Sequence, residues 1–242
     1  MPHLHDIAHI LADWPFEPGS FDVRLIEADD GRPLLQVRID LGLVQMELHD
    51  RPDGTRPNGH ASVLGGCRAQ FTNDPSTFAI DEATAQALHQ EALQVVTRCR
   101  ALFMLGNSER VMHDADEILQ RLELCRTYAQ ASDDTTRFEA LRPQAITMRS
   151  RAAAELAMAA DNSTAARQAL TSGLHDLEAC LDATAFKHGP EVQLLQGMHA
   201  LLVPRLPSSQ RVELQARLAT ALRHEHYELA AILRDELRQL PD

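Results

Sequence analysis

The stretch Asp81-Glu-Ala-Thr-Ala-Gln-Ala-Leu-His-Gln-Glu-Ala-Leu-Gln-Val-Val-Thr-Arg-Cys-Arg-Ala-Leu-Phe-Met-Leu-Gly106 decides the fold. Within it Ala85, Leu88, Ala92, Val95, Cys99, Leu102 and Phe103 recur at helical spacing, and Asp81 stands where an N-cap belongs. Leu105-Gly106-Asn107 is a natural stop and restart, because glycine takes the left-handed conformation that ends a helix. A second helix follows from about Ser108 to Tyr128, with Val111, Ala115, Ile118, Leu122 and Cys125 on one stripe.

Working outward toward the C-terminus, Gln130 to Thr136 is polar and reads as a loop. Phe138–Ala160 and Ala165–Leu181 then read as a second helix pair about the turn Ala160-Asp161-Asn162-Ser163. Gly189-Pro190 opens a helix ending near Val203, and Pro204 and Pro207 separate it from a last pair. Each pair places a small residue near the start of its second helix, at Val111, Ala165 and Ala230, where helices can approach closely. The arrangement resembles the tetratricopeptide one, in which such pairs stack into a superhelix, although the spacing departs from that family's regular period.

Working outward toward the N-terminus, residues 21 to 49 change period. Phe21, Val23, Leu25 and Ile26 precede the turn Asp29-Asp30-Gly31-Arg32. Leu35, Val37 and Ile39 then alternate with Gln36 and Arg38, and Leu43 to Leu48 alternates again. This predicts a small antiparallel meander that must bury one face on the helices, being too small to stand alone. A turn-rich loop, Arg51-Pro-Asp-Gly-Thr-Arg-Pro-Asn-Gly59, leads to an apolar segment from His60 to Phe71 that reads as a helix despite Gly65-Gly66. The expectation is an α+β, mainly α protein: a β-meander region over 1–80, a tetratricopeptide-like helical body over 81–205 and a helical hairpin over 208–242.

The chain has 242 residues, 44% hydrophobic and 24% charged, the composition of an ordinary globular protein, while only 4% aromatic residues and abundant Ala and Leu favour helices. A net charge of -12 makes nucleic acid an unlikely partner for most of the surface, since affinity for phosphates comes from basic residues displacing counterions. Cys67, Cys99, Cys125 and Cys180 form no C-x-x-C pair and read as reduced thiols of a cytoplasmic protein. The start Met-Pro-His-Leu-His-Asp carries no signal-peptide pattern, and no apolar run approaches a membrane span.

The C-terminal segment from Arg211 to Leu240 contains Tyr227-Glu228, Ala230-Ala231 and Leu233-Arg234-Asp235, with Leu237 and Leu240 behind them. It resembles the UVR motif, the helical hairpin of excision-nuclease subunits B and C and of some bacterial adaptors and unfoldases. The resemblance implies a bacterial element that grips another protein, either a UVR-bearing one or a second copy of itself, and that catalyses nothing. It marks Tyr227, Glu228, Leu229, Ala231, Ile232, Arg234 and Asp235 as partner-binding. The family has an acidic residue where this chain has Leu229 and a polar one at Ile232, so this copy is more apolar. That extra surface suits either a partner or a seat on the chain's own body, where the hairpin would serve as a cap.

Other candidate chemistry is sparse. Arg51, Asp53 and Arg56 sit on a stiff loop and could bind a carboxylate or phosphate, because the planar arginine fork matches such groups. The alternative is that they only shape the turns. His5 and His9 are spaced for one helix face but have no evident third ligand, so neither a metal nor another cofactor is expected. No carboxylate pair, nucleotide-binding loop or zinc motif is present, and the chain is read as a non-enzymatic adaptor or scaffold. A small anionic-ligand or enzymatic protein using the Arg51–Arg56 loop is the alternative, and DNA-repair-associated nucleic-acid binding the second alternative.

Overall fold

The computed structural model describes residues 7–130, 132–202, 208–223 and 227–238. The chain is mainly α with one small sheet, as the pattern predicts. After a short helix α1 (Ala8–Asp13), strands β1 (Val23–Glu27), β2 (Pro33–Ile39) and β3 (Gly42–Glu47) form an antiparallel sheet in the order β1-β2-β3. Val23 pairs with Val37, Leu25 with Leu35, and Leu35 with Met46, so these residues share one face. Leu35, Val37 and Met46 are buried against the helices and join the main core.

The opposite face departs from simple alternation. Gln36 and Arg38 are buried there, while Ile39, on the Leu35 face, is exposed at the strand end. The cause is a polar ladder across all three strands: Arg24 donates to Gln36 at 2.8 Å, and Gln36 donates to Gln45 at 2.8 Å. Trp14 and Phe16 lie over this face. The Arg24 guanidinium sits 4.2 Å from the Trp14 ring, and Arg38 donates to the Trp14 carbonyl at 2.7 Å and to the Gly42 carbonyl at 2.7 Å. Gln36 and Arg38 thus each have partners on this face, which is the condition for burying them.

Helix α2 (Val63–Asn73) follows the turn-rich loop and contains both glycines. Then come α3 (Glu82–Met104) and α4 (Ser108–Tyr128), whose predicted stripes are buried throughout, with only Phe103 partly exposed. At the far end α2 meets α4 through Phe71, Phe78 and Tyr128, whose ring centroids lie 5.1 to 5.5 Å apart.

The expected loop from Gln130 to Thr136 is instead largely helix: α5 spans Ser132–Glu139. Its anchor is Phe138, buried in the main core with its ring 5.3 Å from that of His89, and this tertiary contact overrides a polar sequence. The continuous helix expected from Phe138 is broken by a turn at Ala140-Leu141. Helix α6 begins at Arg142 (Arg142–Ala159), where Pro143 occupies the first turn, the one place a helix tolerates it. Helix α7 (Ser163–Cys180) packs on α6. Asp182 caps an unanticipated short helix α8 (Ala183–His188), and α9 (Pro190–Leu202) packs on α7 and α6.

The α3–α4 and α6–α7 turns share one design. Gly106 and Asp161 take positive φ, the next residue donates back to a helix carbonyl (Asn107 to Leu102 at 3.0 Å, Asn162 to Ala157 at 2.8 Å), and the same Asn caps the following helix. Val111 and Ala166 then occupy equivalent buried positions. Ala166, one residue beyond Ala165, is therefore the small residue at the helix contact. Gly173 on α7 is another close approach, where an added Cβ would lie 2.2 Å from Ser150 Oγ on α6.

Helices α10 (Ser208–Arg223) and α11 (Tyr227–Arg238) form the C-terminal hairpin. Its described core is Ala221 and Leu233, with Leu214 and Leu218 against them. Pro204, Pro207 and Leu240 lie outside the described residues. Among the described residues no helix is long and apolar enough to cross a membrane.

Candidate functional site

The hairpin is built by one apolar stripe turned inward and a second set of apolar residues left outside. Leu233 is buried against α10 and Leu237 is half-buried, while Leu229 is 48% and Ile232 63% exposed. Ala231 is half-buried and Arg234 exposed; the side chains of Tyr227, Glu228, Ala230 and Asp235 lie outside the described part of the structure. Leu222 on α10 is also exposed, so both helices contribute apolar surface. The two helices pack on each other, and neither makes an extended contact with any other described element.

The Arg51–Arg56 loop is held by its own charges. Arg51 pairs with Asp53 at 3.0 Å, Arg56 reaches Asp50 at 3.3 Å, and nearby Arg32 pairs with Asp30 and Glu47. Asp53 also accepts from the Thr55 amide at 2.9 Å, the Thr55 hydroxyl at 2.7 Å and Gln94 at 3.0 Å. Burial pushes the Asp53 carboxyl up, but hydrogen bonds from Gln94 and Thr55 and the Arg51 charge outweigh it and leave it below its ordinary value. A hollow of about 190 Å³ lies beside the loop, lined by Arg32, Arg51 and Arg56 but also by Glu47 and Asp50. The arginines thus meet carboxylates before any ligand does.

Two buried ion pairs, not anticipated from sequence, join α3 to α4. Arg98 and Asp114 form one, and Glu91 and Arg121 the other, at 2.9 and 2.6 Å. Each also reaches into the N-terminal part. Arg98 donates to the Asp50 carbonyl at 2.7 Å, and Glu91 accepts the Val63 amide at 2.7 Å, capping α2 together with Ser62. The sequence signal is charge at core positions: Glu91 and Arg98 share one face of α3, and Asp114 and Arg121 one face of α4, two turns apart in both helices.

His5, His224 and His226 lie outside the described residues, and His9 is exposed on α1. His113, Asp114 and Glu117 bring possible ligand atoms within 4.8 Å of one another. The Asp114 carboxylate is already committed to Arg98 and to Arg110 at 3.1 Å, and these two cations oppose a metal ion there.

Two larger hollows flank the helical body. One of about 750 Å³ is lined by charges that pair with each other: Arg126 with Glu123, Arg142 with Glu139, and Arg149 with Asp176. The other, about 490 Å³, is mostly apolar and lies between α3, α6 and α9 with Phe21 at its edge. Phe21, expected to begin a strand, precedes β1 and is partly exposed there. No protein-family model, curated protein or solved structure matches this chain.

Proposed function

We propose that this chain is a protein-binding adaptor of the bacterial cytoplasm, with the C-terminal hairpin as its contact element and the helical body as a tetratricopeptide-like scaffold. The observation that carries this reading is the exposure of Leu229 and Ile232 on a hairpin that has no extended contact with the body. A helical cap would turn such residues onto the array it closes. Two large exposed aliphatic side chains one helical turn apart, with Leu222 across the hairpin, suit an apolar contact on another protein. So small a core as Ala221, Leu233, Leu214 and Leu218 also gains stability by packing on something else.

The partner is a UVR-type hairpin, on another protein or on a second copy of this chain, because a surface made of paired apolar helices is complemented by one of the same kind. Purified full-length protein is mixed with the UVR-bearing proteins of its own cell, and complex formation and self-association are followed by analytical ultracentrifugation. A complex that Leu229→Glu and Ile232→Glu abolish, with the melting temperature of the body unchanged, supports the reading. Complexes indifferent to both substitutions would remove it.

A further inference from the structure

Helix α9 is the last helix of the body, and its outer face carries apolar residues that nothing covers. From Val192 to Leu202 it has no Asp, Glu, Lys or Arg. Val192 and Leu195 are buried toward α6 and α7. Leu194 and Leu201 are exposed, Leu201 at 82%, on one stripe with Gly197, where an added Cβ would meet nothing within 4 Å. Leu194 is also a wall of the 490 Å³ hollow, beside Phe21, Phe103, Met104 and Met148, so stripe and hollow form one apolar surface. The end of a helical array needs a polar outer face or a cover, and this end has an apolar one.

The chain itself supplies the cover. The α10–α11 hairpin follows α9 after only five residues, 203–207, and leaves Leu222, Leu229 and Ile232 exposed. Helices joined by so short a connection pack as antiparallel neighbours, and the register then fits. Leu194 stands 8 residues before Leu202, about 12 Å back along α9. Leu233 packs with Leu218, which stands 10 residues after Ser208, about 15 Å along α10. Laid antiparallel on α9, the hairpin therefore carries Ile232, the neighbour of Leu233, to the level of Leu194, with Leu229 one turn away. We infer that the hairpin is a lid on its own body: it closes by seating Leu229 and Ile232 against Leu194 and the hollow, and a partner binds only once it is released. This rests on the contact role proposed above and names its regulation. The structure holds the released form, so closure is an equilibrium, favoured by a tether that gives an effective concentration on the order of millimolar. The 750 Å³ hollow is no competing seat, because paired charges line it.

The test is disulfide formation in the full-length protein carrying Leu194→Cys and Ile232→Cys, with Cys180→Ser removing the exposed native thiol. Cysteine keeps both positions apolar. A cross-linked monomer should form at a rate independent of protein concentration. That rate should exceed by about tenfold the one for Gln120→Cys with Ile232→Cys, whose first thiol lies at the charged hollow. Leu229→Glu added to the first pair should slow closure by about tenfold, because a bare tether is indifferent to that charge and an apolar seat is not. The locked protein should lose the UVR-type complex and regain it on reduction. Circular dichroism melts establish that the variants are folded. Closure no faster than in the control, indifference to Leu229→Glu, cross-links formed only between chains, or a locked chain that binds as well as the reduced one would each overturn the lid. Closure as expected in a protein whose wild type finds no UVR-type partner upholds the lid and removes only the partner reading.

Discussion

The Arg98 guanidinium grips the Asp114 carboxylate at two points, Nε to Oδ2 at 2.7 Å and the Nη2 nitrogen to Oδ1 at 3.0 Å, with both side chains fully buried. Because Arg98 also holds the Asp50 and Glu47 carbonyls, this pair ties the sheet region to the α3–α4 hairpin. Removing Asp114 leaves a buried cation uncompensated, so Asp114→Ala should cost about 3–5 kcal/mol in urea unfolding. The double substitution Arg98→Met with Asp114→Leu removes both charges and should recover much of that loss. Amide exchange in β2 and β3 should quicken in the single variant more than in α7.

Gly173 and Ser150 set the distance between α7 and α6. An added methyl at 173 would lie 2.6 Å from Ser150 Cβ and 3.0 Å from Leu195 Cδ1, a clash that only a helix shift relieves. Gly173→Ala should therefore destabilise the protein by about 1–3 kcal/mol despite the better helix propensity of alanine. Adding Ser150→Gly removes the nearer obstacle and should restore part of the loss, which thermal melts of the wild type and the two variants would resolve.

How far the sequence reveals this fold depends on what each residue contacts. The α3 and α4 stripes and the meander are legible because one face of each is apolar and the period is regular. The ion pairs are not, because Glu91, Arg98, Asp114 and Arg121 look like ordinary solvated charges until their helices face each other. Gln36 and Arg38 read as outward residues, and only the covering Trp14 and Phe16 bury them. Helix α5 was hidden because Phe138 alone anchors a polar segment, and Pro143 marks a new helix start that the apolar period runs straight through. At the hairpin the apolar character of Leu229 and Ile232 is plain in the chain, whereas their exposure emerges only from the packing.

The thiols differ in access. Cys67, Cys99 and Cys125 are buried, and burial pushes the Cys67 and Cys99 thiols above their ordinary value, with Glu91 adding to it at Cys67 and Asp114 at Cys99. Cys180 is exposed, its thiol raised by partial burial and by Glu139, with Arg142 acting in the opposite sense. A disulfide exchange reagent should modify Cys180 alone in the native protein, faster as the pH rises, and all four cysteines after unfolding. Mass spectrometry of the labelled peptides identifies which thiol reacted.

Acid should weaken the start of α3. The Asp81 carboxyl is held below its ordinary 3.8 by hydrogen bonds from Thr84, its side chain and then its amide at 2.8 Å. A carboxyl with a lowered folded value contributes stability that is fully present above its unfolded value and is lost as the pH falls through the folded one. Below about pH 4 the wild type should therefore lose stability that Asp81→Asn, which caps without titrating, does not lose at that site. Melting curves of the two proteins between neutral and acid pH should converge as the pH drops.

We propose that the α10–α11 hairpin is a contact element for a UVR-type hairpin of another protein or for a second copy of this chain. Sedimentation equilibrium of the full-length protein, alone and with purified UVR-bearing proteins of its own cell, measures this directly. A complex that forms with the wild type and is lost with Ile232→Glu, while the body melts at the same temperature, is the predicted result. A wild-type chain that stays monomeric with every such partner, or a complex that Ile232→Glu leaves intact, would contradict it.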